Sequence, residues 1–487
     1  MGGDEMIDFS YKLYGSVIDG QEKKEADGPG LDVIHPYDGR PIGRIAIASE
    51  DDANQAVIAA DRVFRDVARS MPAHERARIL YEAASLLEAN AEAFARLITL
   101  ESGKVVKESR AEVQRAVQVL KFSAEGAKNL YGELIPMDSA IGGEGRLGMT
   151  MRRPIGVVVA ITPFNFPLNL VLHKVAPALA AGNTVVLKPA EKTPLTSVWL
   201  YRLLQSAGLP QGMMNIVMGP GEKIGHILVT HPLVKKVTFT GSSSVGWQIK
   251  EKAVRAKVTL ELGSNSPTLV FADAHLDEAA ASILKGAFAN AGQTCVSVQR
   301  VYVQDAVYET MKRKLTEGVS TLKVGDPLDP AVDIGPMITE AAAERVESWV
   351  REAVGQGAQV AAGGNRQGSL FEPTVLTDVN PAMKVVCEEA FAPILCLIPF
   401  ESEEEAVTRA NDSGFGLQTG VFTNDLGRAL RIADALETGG VWINESSLLR
   451  YDHMPYGGIK MSGVGKEGVK YALEEMTERK FVGIRWM

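Results

Sequence analysis

The chain has 487 residues, of which 46% are hydrophobic and 23% charged, and its formal net charge at pH 7 is −9. Such a length and composition are typical of a globular protein of two or three domains and exclude a disordered or fibrous one. The negative charge argues against nucleic acid or an anionic membrane as the main partner.

The first 150 residues are predicted to begin with strands, continue with helices and end in a glycine-rich segment. Short strands are expected over residues 12–18, 31–34 and 41–47. Apolar residues at helical spacing then predict helices over Ala73–Ala89 and residues 111–130. Residues 134–152 show no helical face and are interrupted by glycines, so we expect a strand-and-turn insertion that projects from the body.

Apolar strands and helices alternate regularly from residue 155 to residue 262. The strands are expected over residues 155–161, 184–187, 214–218, 236–239 and 258–260, and the helices over residues 168–181, 195–207, 222–230 and 244–254. This alternation predicts βαβ units and a parallel sheet covered by helices on both faces. Such sheets bind ligands beyond the carboxyl ends of their strands, so we expect the chemistry there.

A second α/β domain is predicted over residues 263–460. Its strands are expected over residues 268–271, 298–303, 394–400 and 440–443. The last apolar run, residues 480–486, predicts a strand at the chain terminus. An uncovered edge strand tends to pair with another chain, so this strand is a candidate for contact with another subunit.

Of the three cysteines, Cys295 is the candidate nucleophile. Cys396 lies in an apolar strand and is expected to be inert, while the acidic residues that follow Cys387 disfavour its thiolate. Cys295 lies at a junction between a helix and a strand, where catalytic residues are common. Glu261 ends the predicted fifth strand, which we take as central, and would point into the ligand crevice. The local sequence also allows a structural cysteine and a structural carboxylate at these two positions.

Two segments after parallel strands are candidate cofactor contacts. Gly241 and Gly246 bracket a turn that could bind phosphate at a helix N-terminus or be an ordinary capped turn. Lys188 and Glu191 could bond a ribose or be solvated. The G-x-G-x-x-G match at residues 463–468 has too little chain after it for a βαβ unit and is not interpreted as a dinucleotide site.

The sequence predicts no metal site, no secretory leader and no membrane span. The seven histidines are scattered, and no His or Cys spacing is typical of metal ligands. Residues 1–10 are acidic and lack an apolar core, and no apolar run reaches the roughly 18 residues that a membrane span needs. Few cysteines favour a reducing, cytoplasmic location.

Together these segments resemble the aldehyde dehydrogenase superfamily, in particular its lactaldehyde dehydrogenase-like branch, over nearly the whole chain. The motifs that carry the resemblance are residues 161–167 (ITPFNFP), 188–191 (KPAE), 239–242 (FTGS), 261–263 (ELG), 292–295 (GQTC), 389–391 (EAF) and 455–458 (PYGG). The resemblance implies a Rossmann-type NAD(P)-binding domain (residues 1–133 and 153–262), an α/β catalytic domain (263–460) and a small β oligomerisation arm (134–152 and 471–487). A homodimer or a homotetramer is then expected.

The resemblance also implies a role for each site residue. Cys295 would attack an aldehyde, the Asn165 side chain and the Cys295 N–H would hold the oxyanion, and Glu261 would activate the water that hydrolyses the thioester. The implied cofactor-binding residues are Lys188, Glu191, Gly221, Thr240, Gly241, Ser242, Gly246, Glu389 and Phe391. NAD is favoured over NADP because the Glu191 carboxylate would accept hydrogen bonds from ribose hydroxyls and repel a 2′-phosphate.

The substrate is expected to be a small hydroxylated or anionic aldehyde such as lactaldehyde. Arg450 could meet its polar tail or could be a surface or interface residue, and His453 is equally open. A CoA-acylating semialdehyde dehydrogenase and a non-phosphorylating glyceraldehyde-3-phosphate dehydrogenase are alternatives. The presence of Glu261 favours hydrolysis over CoA transfer. An inactive binding protein on the same scaffold is disfavoured because Cys295, Glu261 and Asn165 are all retained.

Overall fold

The computed structural model describes residues 7–24 and 28–486. Residues 1–6, which include most of the stretch assessed for a secretory leader, lie outside this description. Within the described ranges, no helix is long and apolar enough to cross a membrane. The same ranges contain no cluster of three or more His, Cys, Asp or Glu side chains that could hold a metal ion.

The helices agree closely with the apolar periodicity of the sequence. They are α1 (Glu50–Asp66), α2 (Ala73–Ala89), α3 (Ala91–Ser102), α4 (Val106–Lys128), α5 (Asn169–Ala180), α6 (Leu195–Ser206), α7 (His226–Thr230), α8 (Ser243–Lys252), α9 (Leu276–Phe288), α10 (Tyr308–Thr321), α11 (Glu340–Gly355), α12 (Lys384–Cys387), α13 (Glu403–Asn411), α14 (Leu426–Ala435) and α15 (Val469–Glu475). The predicted helix α2 is confirmed, and its residues Ile79, Leu80, Ala83 and Leu87 are buried on one face. The helix predicted over residues 222–230 is a π-helical turn, Gly221–Gly225, followed by α7.

The strands form two large sheets and several small ones. They are β1 (Leu13–Tyr14), β2 (Ser16–Ile18), β3 (Gln21–Lys23), β4 (Gly30–Ile34), β5 (Pro41–Ala46), β6 (Leu134–Ile135), β7 (Arg146–Pro154), β8 (Val157–Ile161), β9 (Thr184–Lys188), β10 (Met214–Ile216), β11 (Val234–Thr240), β12 (Lys257–Glu261), β13 (Pro267–Val270), β14 (Arg300–Gln304), β15 (Gln359–Ala362), β16 (Arg366–Gln367), β17 (Leu370–Phe371), β18 (Thr374–Thr377), β19 (Ile394–Phe400), β20 (Phe415–Gly416), β21 (Gln418–Phe422), β22 (Gly440–Ile443), β23 (Ile459–Lys460), β24 (Gly463–Val464) and β25 (Thr477–Arg485).

The first large sheet has the strand order β24-β12-β11-β8-β9-β10-β2-β3. The pairs from β12 to β10 are parallel, as predicted, and β8 and β9 are buried along their whole length. The expectation that Glu261 ends a central strand is wrong, because β12 is the outermost of the parallel strands. Strand β24 covers its edge, with Glu261 paired to Gly463. The segment that matched G-x-G-x-x-G therefore begins with the strand that pairs with the edge of the parallel strands.

The second large sheet has the order β15-β18-β19-β14-β13-β21-β22. All its pairs are parallel except the one between β15 and β18. The four predicted strands are present. Strands β15, β18 and β21 are additional. The short runs of β18 and β21 contain threonine or glycine, which weakened the apolar signal. Cys396 lies inside β19 and is buried, as expected.

A three-stranded sheet, in the order β25-β7-β6, contains the predicted insertion and the C-terminal strand. Strand β25 pairs antiparallel with β7 from Thr477 opposite Pro154 to Arg485 opposite Arg146. One edge of β25 is therefore covered within the same chain. Large apolar side chains remain exposed around this small sheet, namely Leu134, Ile141, Phe481, Ile484 and Trp486.

Candidate active site

A cleft of about 500 Å³ opens at the carboxyl ends of the first sheet's parallel strands. It lies where the ligand crevice of a parallel sheet is expected. The cofactor candidates that line it are Lys188, Glu191, Gly221, Thr240, Gly241 and Ser242. The cleft therefore unites six candidates from three separate segments of the chain.

Lys188 and Glu191 form one end of this cleft with Gly221. The Lys188 Nζ lies 3.3 Å from Glu191 Oε1 and donates to the Pro189 carbonyl at 3.1 Å. The same Glu191 oxygen accepts the Gly221 N–H at 2.6 Å. Burial lowers the pKa of Lys188. The bonds from Lys188 and from the Gly221 N–H hold the Glu191 carboxylate in place beside the cleft.

The turn between Gly241 and Gly246 is built differently from the expectation. Ser242 precedes α8, so the unpaired N–H groups of the first turn of α8 face the cleft and suit a pyrophosphate. Gly246 is buried, and a Cβ there would overlap the Leu262 side chain. The absence of a side chain at Gly246 lets α8 pack on Leu262. A glycine is therefore needed here for packing, and not for a close approach of the backbone to a phosphate. The polar groups of this cleft, Lys188 and Glu191 at one end and the free N–H groups of α8 at the other, fit NAD(P).

Cys295 lies in the loop that follows a tight turn after α9. Asn290 and Ala291 both have φ of +52° in that turn, a left-handed conformation that costs about 1–2 kcal/mol per non-glycine residue. Cys295 is partly exposed, and its Sγ lies 2.9 Å from the Tyr456 hydroxyl. Burial raises the pKa of the thiol to about 11. The resting group is therefore a thiol at neutral pH.

Cys387, by contrast, is exposed at the end of α12, remote from these contacts. Burial, followed by the charge of Glu388, raises the pKa of its thiol. This direction agrees with the sequence argument against a reactive thiolate at this position.

Asn165 lies beside the Cys295 loop. Its Nδ2 donates to the Gln293 carbonyl at 2.8 Å, and the Asn290 Nδ2 donates to the Asn165 carbonyl at 3.3 Å. An amide nitrogen carries two hydrogens, so the second one is left to hold another acceptor. The predicted oxyanion donor, Asn165, is therefore bonded to a residue that lies two positions before the nucleophile in the chain.

Glu261 is fully buried, and neither of its carboxylate oxygens has a hydrogen-bond partner in the structure. Burial, with a further contribution from Glu467, raises the pKa of Glu261 well above its usual value. A Cβ at Gly457 would lie 2.8 Å from Glu261 Oε1, so only glycine lets the backbone pass so close to this carboxyl group. Glu261 is therefore an unusually basic carboxylate once it is ionised.

Glu389 and Phe391 lie in the loop between α12 and β19. Glu389 Oε1 accepts the Ser264 N–H at 3.0 Å, and burial raises the pKa of Glu389 to about 7. Phe391 has φ of +48°, and its ring meets that of Phe164 edge-on at 5.8 Å between centroids. The backbone strain at Phe391 marks a fixed ring orientation.

An ion network behind Glu261 was not found from the sequence. Lys174 Nζ is bonded to Glu467 Oε1 and donates to Thr240 Oγ1 at 2.6 Å. Arg450 Nη2 donates to Glu467 Oε2 at 3.0 Å. Although burial opposes it, Lys174 and Arg450 hold the pKa of Glu467 at about 2. Glu467 is therefore a fixed negative charge that both cations neutralise.

Arg450 is not a surface residue. Its side chain is only 7% exposed, its ion pair is internal to the chain, and its guanidinium carbon lies 3.7 Å from the centre of the Tyr456 ring. The Nε is buried and has no partner in the structure. Because Tyr456 contacts Cys295, this guanidinium is close to the nucleophile and keeps one donor free.

His453, by contrast, is not brought to Cys295. It is exposed, and its ring lies 5.2 Å from that of Phe122 and 6.2 Å from that of Tyr451. It lines a separate cavity of about 540 Å³ that includes Arg152 and Arg479 of the small three-stranded sheet. The expectation of a substrate contact at His453 has no support from this placement.

Asp452 instead anchors three polar residues that the sequence reasoning missed. Its carboxylate accepts from His173 Nε2 at 2.8 Å, Asn169 Nδ2 at 3.2 Å and Arg115 at 2.7 Å. Among the residues that the structure describes, His173 Nδ1 and Asn169 Oδ1 are buried and have no hydrogen-bond partner. A signal existed in the sequence, since Asn169 and His173 are four residues apart and therefore share one face of the apolar helix α5.

Comparison with known proteins covers nearly all of the chain. The sequence model described as "Aldehyde dehydrogenase family" matches residues 23–482. A 3-sulfolactaldehyde dehydrogenase of Priestia aryabhattai is 47% identical over 97% of this chain and 98% of that protein. A lactaldehyde dehydrogenase of Methanococcus maripaludis is 40% identical over 93% and 97%. The solved structure of glyceraldehyde-3-phosphate dehydrogenase GapN from Methanocaldococcus jannaschii, complexed with NADP, has a TM-score of 0.91, 39% identity and coverage of 94% and 99%.

Proposed function

Because the chain belongs to the aldehyde dehydrogenase family and is an NAD(P)-dependent aldehyde dehydrogenase, we propose that it oxidises a small hydroxylated or anionic aldehyde through Cys295. The product is the free carboxylic acid, and lactaldehyde is a representative substrate. The observation that carries the proposal is the placement of Asn165 against the Cys295 loop, with an unpartnered, fully buried Glu261 nearby.

In the first step the Cys295 thiol loses its proton to water, the thiolate attacks the aldehyde carbon, and the negative charge moves to the aldehyde oxygen. The free hydrogen of Asn165 Nδ2 and the Cys295 N–H then donate to this oxyanion. Removal of one such donor costs about 3–4 kcal/mol of transition-state stabilisation in other enzymes. The bond to Gln293 fixes the Asn165 amide before the substrate arrives, so little reorganisation is needed.

In the second part of the reaction, NAD(P) bound in the cleft supplies a hydride acceptor. Cys295 then holds the acyl group as a thioester, and ionised Glu261 removes a proton from the water that attacks it. A positioned general base contributes roughly 10²–10⁴-fold. The raised pKa suits Glu261 to this role, because a stronger base abstracts the proton more readily.

The buried polar atoms of Arg450 and of two of the residues bound to Asp452 support a hydroxylated or anionic tail on the substrate. Arg450 offers a free Nε donor, His173 a free Nδ1 and Asn169 a free Oδ1. Buried polar atoms without partners are costly, and a ligand with matching groups satisfies them. His453 is left out of this set because its ring packs on Phe122, in another cavity.

A panel of aldehydes assayed with NAD and with NADP tests the proposal. Lactaldehyde and an anionic analogue such as 3-sulfolactaldehyde are expected to exceed unsubstituted aliphatic aldehydes of similar size in kcat/KM. Cys295→Ala is expected to abolish turnover, whereas Glu261→Gln gives one burst of reduced cofactor and then stalls. If the unsubstituted aldehydes are preferred, the proposed substrate class is wrong.

Two controls separate the alternatives. Turnover that depends on added CoA would indicate acyl transfer in place of hydrolysis. Glyceraldehyde 3-phosphate belongs in the panel because GapN is a structural relative, and its preference over the smaller substrates would identify that activity.

We favour NAD over NADP as the cofactor. The Glu191 carboxylate lies beside the cleft and is fixed by the Gly221 N–H, so it suits free ribose hydroxyls and repels a 2′-phosphate. Glu191→Gln is expected to raise kcat/KM for NADP relative to NAD. Glu251→Gln removes an exposed charge from α8 outside the cleft and is the matched control. A wild-type preference for NADP contradicts this assignment.

We further propose that residues 134–152 and 471–487 form an oligomerisation arm beside the NAD(P)-binding region (1–133 and 153–262) and the catalytic region (263–460). The exposed Phe481, Ile484 and Trp486 support an interface at this arm in a homodimer or homotetramer. Light scattering tests it, since Phe481→Asp is expected to lower the molar mass. The free cysteines are compatible with a cytoplasmic location.

A further inference from the structure

The hydroxyl of Tyr456 contacts the sulfur of Cys295. The Oη–Sγ distance is 2.9 Å, and Tyr456 is 2% exposed, so water does not compete for this hydroxyl. A phenylalanine ring would fill the same space against Val296 and Leu417, which pack in the same cluster. The hydroxyl is therefore not needed for packing, and the hydrogen bond to sulfur is its distinguishing contribution.

The direction of this bond depends on the state of the sulfur. Burial, followed by the adjacent Cys295, raises the pKa of Tyr456 well above its usual value, so the phenol keeps its proton. A thiolate can only accept a hydrogen bond. In the thiolate state the Tyr456 O–H is therefore the donor, and a bond from a neutral donor to a charged acceptor is stronger than one between neutral groups.

The charged groups that face Cys295 give this bond its importance. Burial raises the pKa of the thiol, and the carboxyl groups of Glu389 and Glu261 raise it further. The Tyr456 bond and the Arg450 charge lower it. Tyr456 is thus one of two groups near the sulfur that favour the nucleophilic form, and it is the one that touches the sulfur.

Arg450 holds the Tyr456 ring in place. Its guanidinium carbon lies 3.7 Å from the ring centroid, and Glu467 fixes the guanidinium through a buried ion pair. A cation over an aromatic face is attracted by the ring and restricts its rotation. The phenol is therefore held by a contact on its ring face and has little freedom to turn away from the sulfur.

We propose that Tyr456 is a catalytic residue, which donates a hydrogen bond to the Cys295 thiolate and so prepares it for attack on the aldehyde. The proposal rests on the proposed role of Cys295 as the nucleophile. Tyr456 retains its proton throughout. When the carbon–sulfur bond forms, the sulfur becomes a weak acceptor and the hydrogen bond is released at no cost in charge.

Alkylation of the thiol by iodoacetamide, measured as a function of pH without aldehyde or cofactor, tests the proposal. The background variant is Cys387→Ser, because Cys387 is the exposed cysteine that would also react. In this background, Tyr456→Phe is expected to raise the apparent pKa of inactivation by about one pH unit or more. At neutral pH the inactivation rate is then about tenfold lower.

Tyr302→Phe is the matched control. It removes another buried tyrosine hydroxyl, one that donates to the Arg409 carbonyl at 3.1 Å and not to the Cys295 sulfur. It is expected to lower thermal stability and to leave the alkylation profile unchanged. Tyr456→Phe should also slow the first-turnover burst of reduced cofactor, a rate that a purely structural hydroxyl would not set.

An alkylation profile of Tyr456→Phe that coincides with that of the background overturns the inference. The outcome for the proposed function is separate. An active Cys295→Ala variant refutes the nucleophile itself, whereas an inactive Cys295→Ala variant with an unshifted Tyr456→Phe profile refutes only the role of Tyr456.

Discussion

Replacing Glu112 by glutamine is expected to destabilise the protein because it leaves a buried lysine without its counter-ion. Glu112 and Lys104 form an ion pair in which the side chains are 0% and 1% exposed. The other Glu112 oxygen accepts the N–H groups of Leu168 and Asn169, both at 3.0 Å. These groups open α5, which carries Asn169 and His173, so the pair also fixes two residues that the proposed function assigns to the substrate.

The magnitude follows from what glutamine keeps and what it loses. The amide oxygen of Glu112→Gln can still accept the two backbone N–H groups, so the loss is chiefly the charge. Breaking a buried ion pair from one side costs about 3–5 kcal/mol. Burial already lowers the pKa of Lys104, and its Nζ lies 3.7 Å from the centre of the Phe166 ring. Both effects ease the cost, so we expect about 3 kcal/mol.

A double-mutant cycle isolates the interaction of the pair. Lys104→Met combined with Glu112→Gln leaves no buried charge at either position, and methionine fills the lysine stem. Replacement of a whole buried pair by neutral groups is often close to neutral in stability. The double variant should therefore be more stable than Glu112→Gln alone, with a coupling energy of about 2 kcal/mol. Urea unfolding followed by tryptophan fluorescence measures all four proteins.

The pH dependence provides a second measurement. In Glu112→Gln the pKa of Lys104 falls further below its unfolded value, so the unfolded state binds more protons and stability rises with pH. The difference in the free energy of unfolding between wild type and Glu112→Gln should therefore become smaller from neutral to alkaline pH. Glu92→Gln, in the exposed pair with Arg110, is the control and should cost under about 1 kcal/mol. The reasoning is refuted if the stability losses of Lys104→Met and Glu112→Gln are additive, or if the stability loss of Glu112→Gln does not change with pH.

Three further predictions concern the site. Gly246→Ala should destabilise by about 1–3 kcal/mol in urea unfolding, because its Cβ would overlap Leu262, and unchanged stability would contradict this packing. Asp452→Asn should raise KM for lactaldehyde about tenfold or more by releasing His173, and should leave that of an unsubstituted aldehyde nearly constant. Thioester hydrolysis in single-turnover assays should rise with pH through the raised pKa of Glu261 and should lose this rise in Glu261→Gln, whereas a flat wild-type profile excludes it as the base.

Local sequence was sufficient for many of the helices and strands, and the family motifs were sufficient for the identity of the main candidates. The helix over Ala73–Ala89 follows from apolar spacing, because a helix buries one face whatever its neighbours are. The motifs around Cys295 and Glu261 were recognisable because each is a short contiguous segment. The boundaries were less accurate where turns intervene, as at Gly221–Gly225, since a π-helical turn has no distinct apolar period.

The tertiary structure decided what surrounds those candidates. Tyr456 meets Cys295 across 161 residues, and His173 meets Asp452 across 279. No local pattern encodes such contacts, because they depend on strand order and on the path of the connecting loops. The position of β12 at the edge of the parallel strands is of the same kind, since strand β24 reaches it from the end of the chain. The sequence by itself determined which groups can react, whereas packing determined their burial, their charge and their partners.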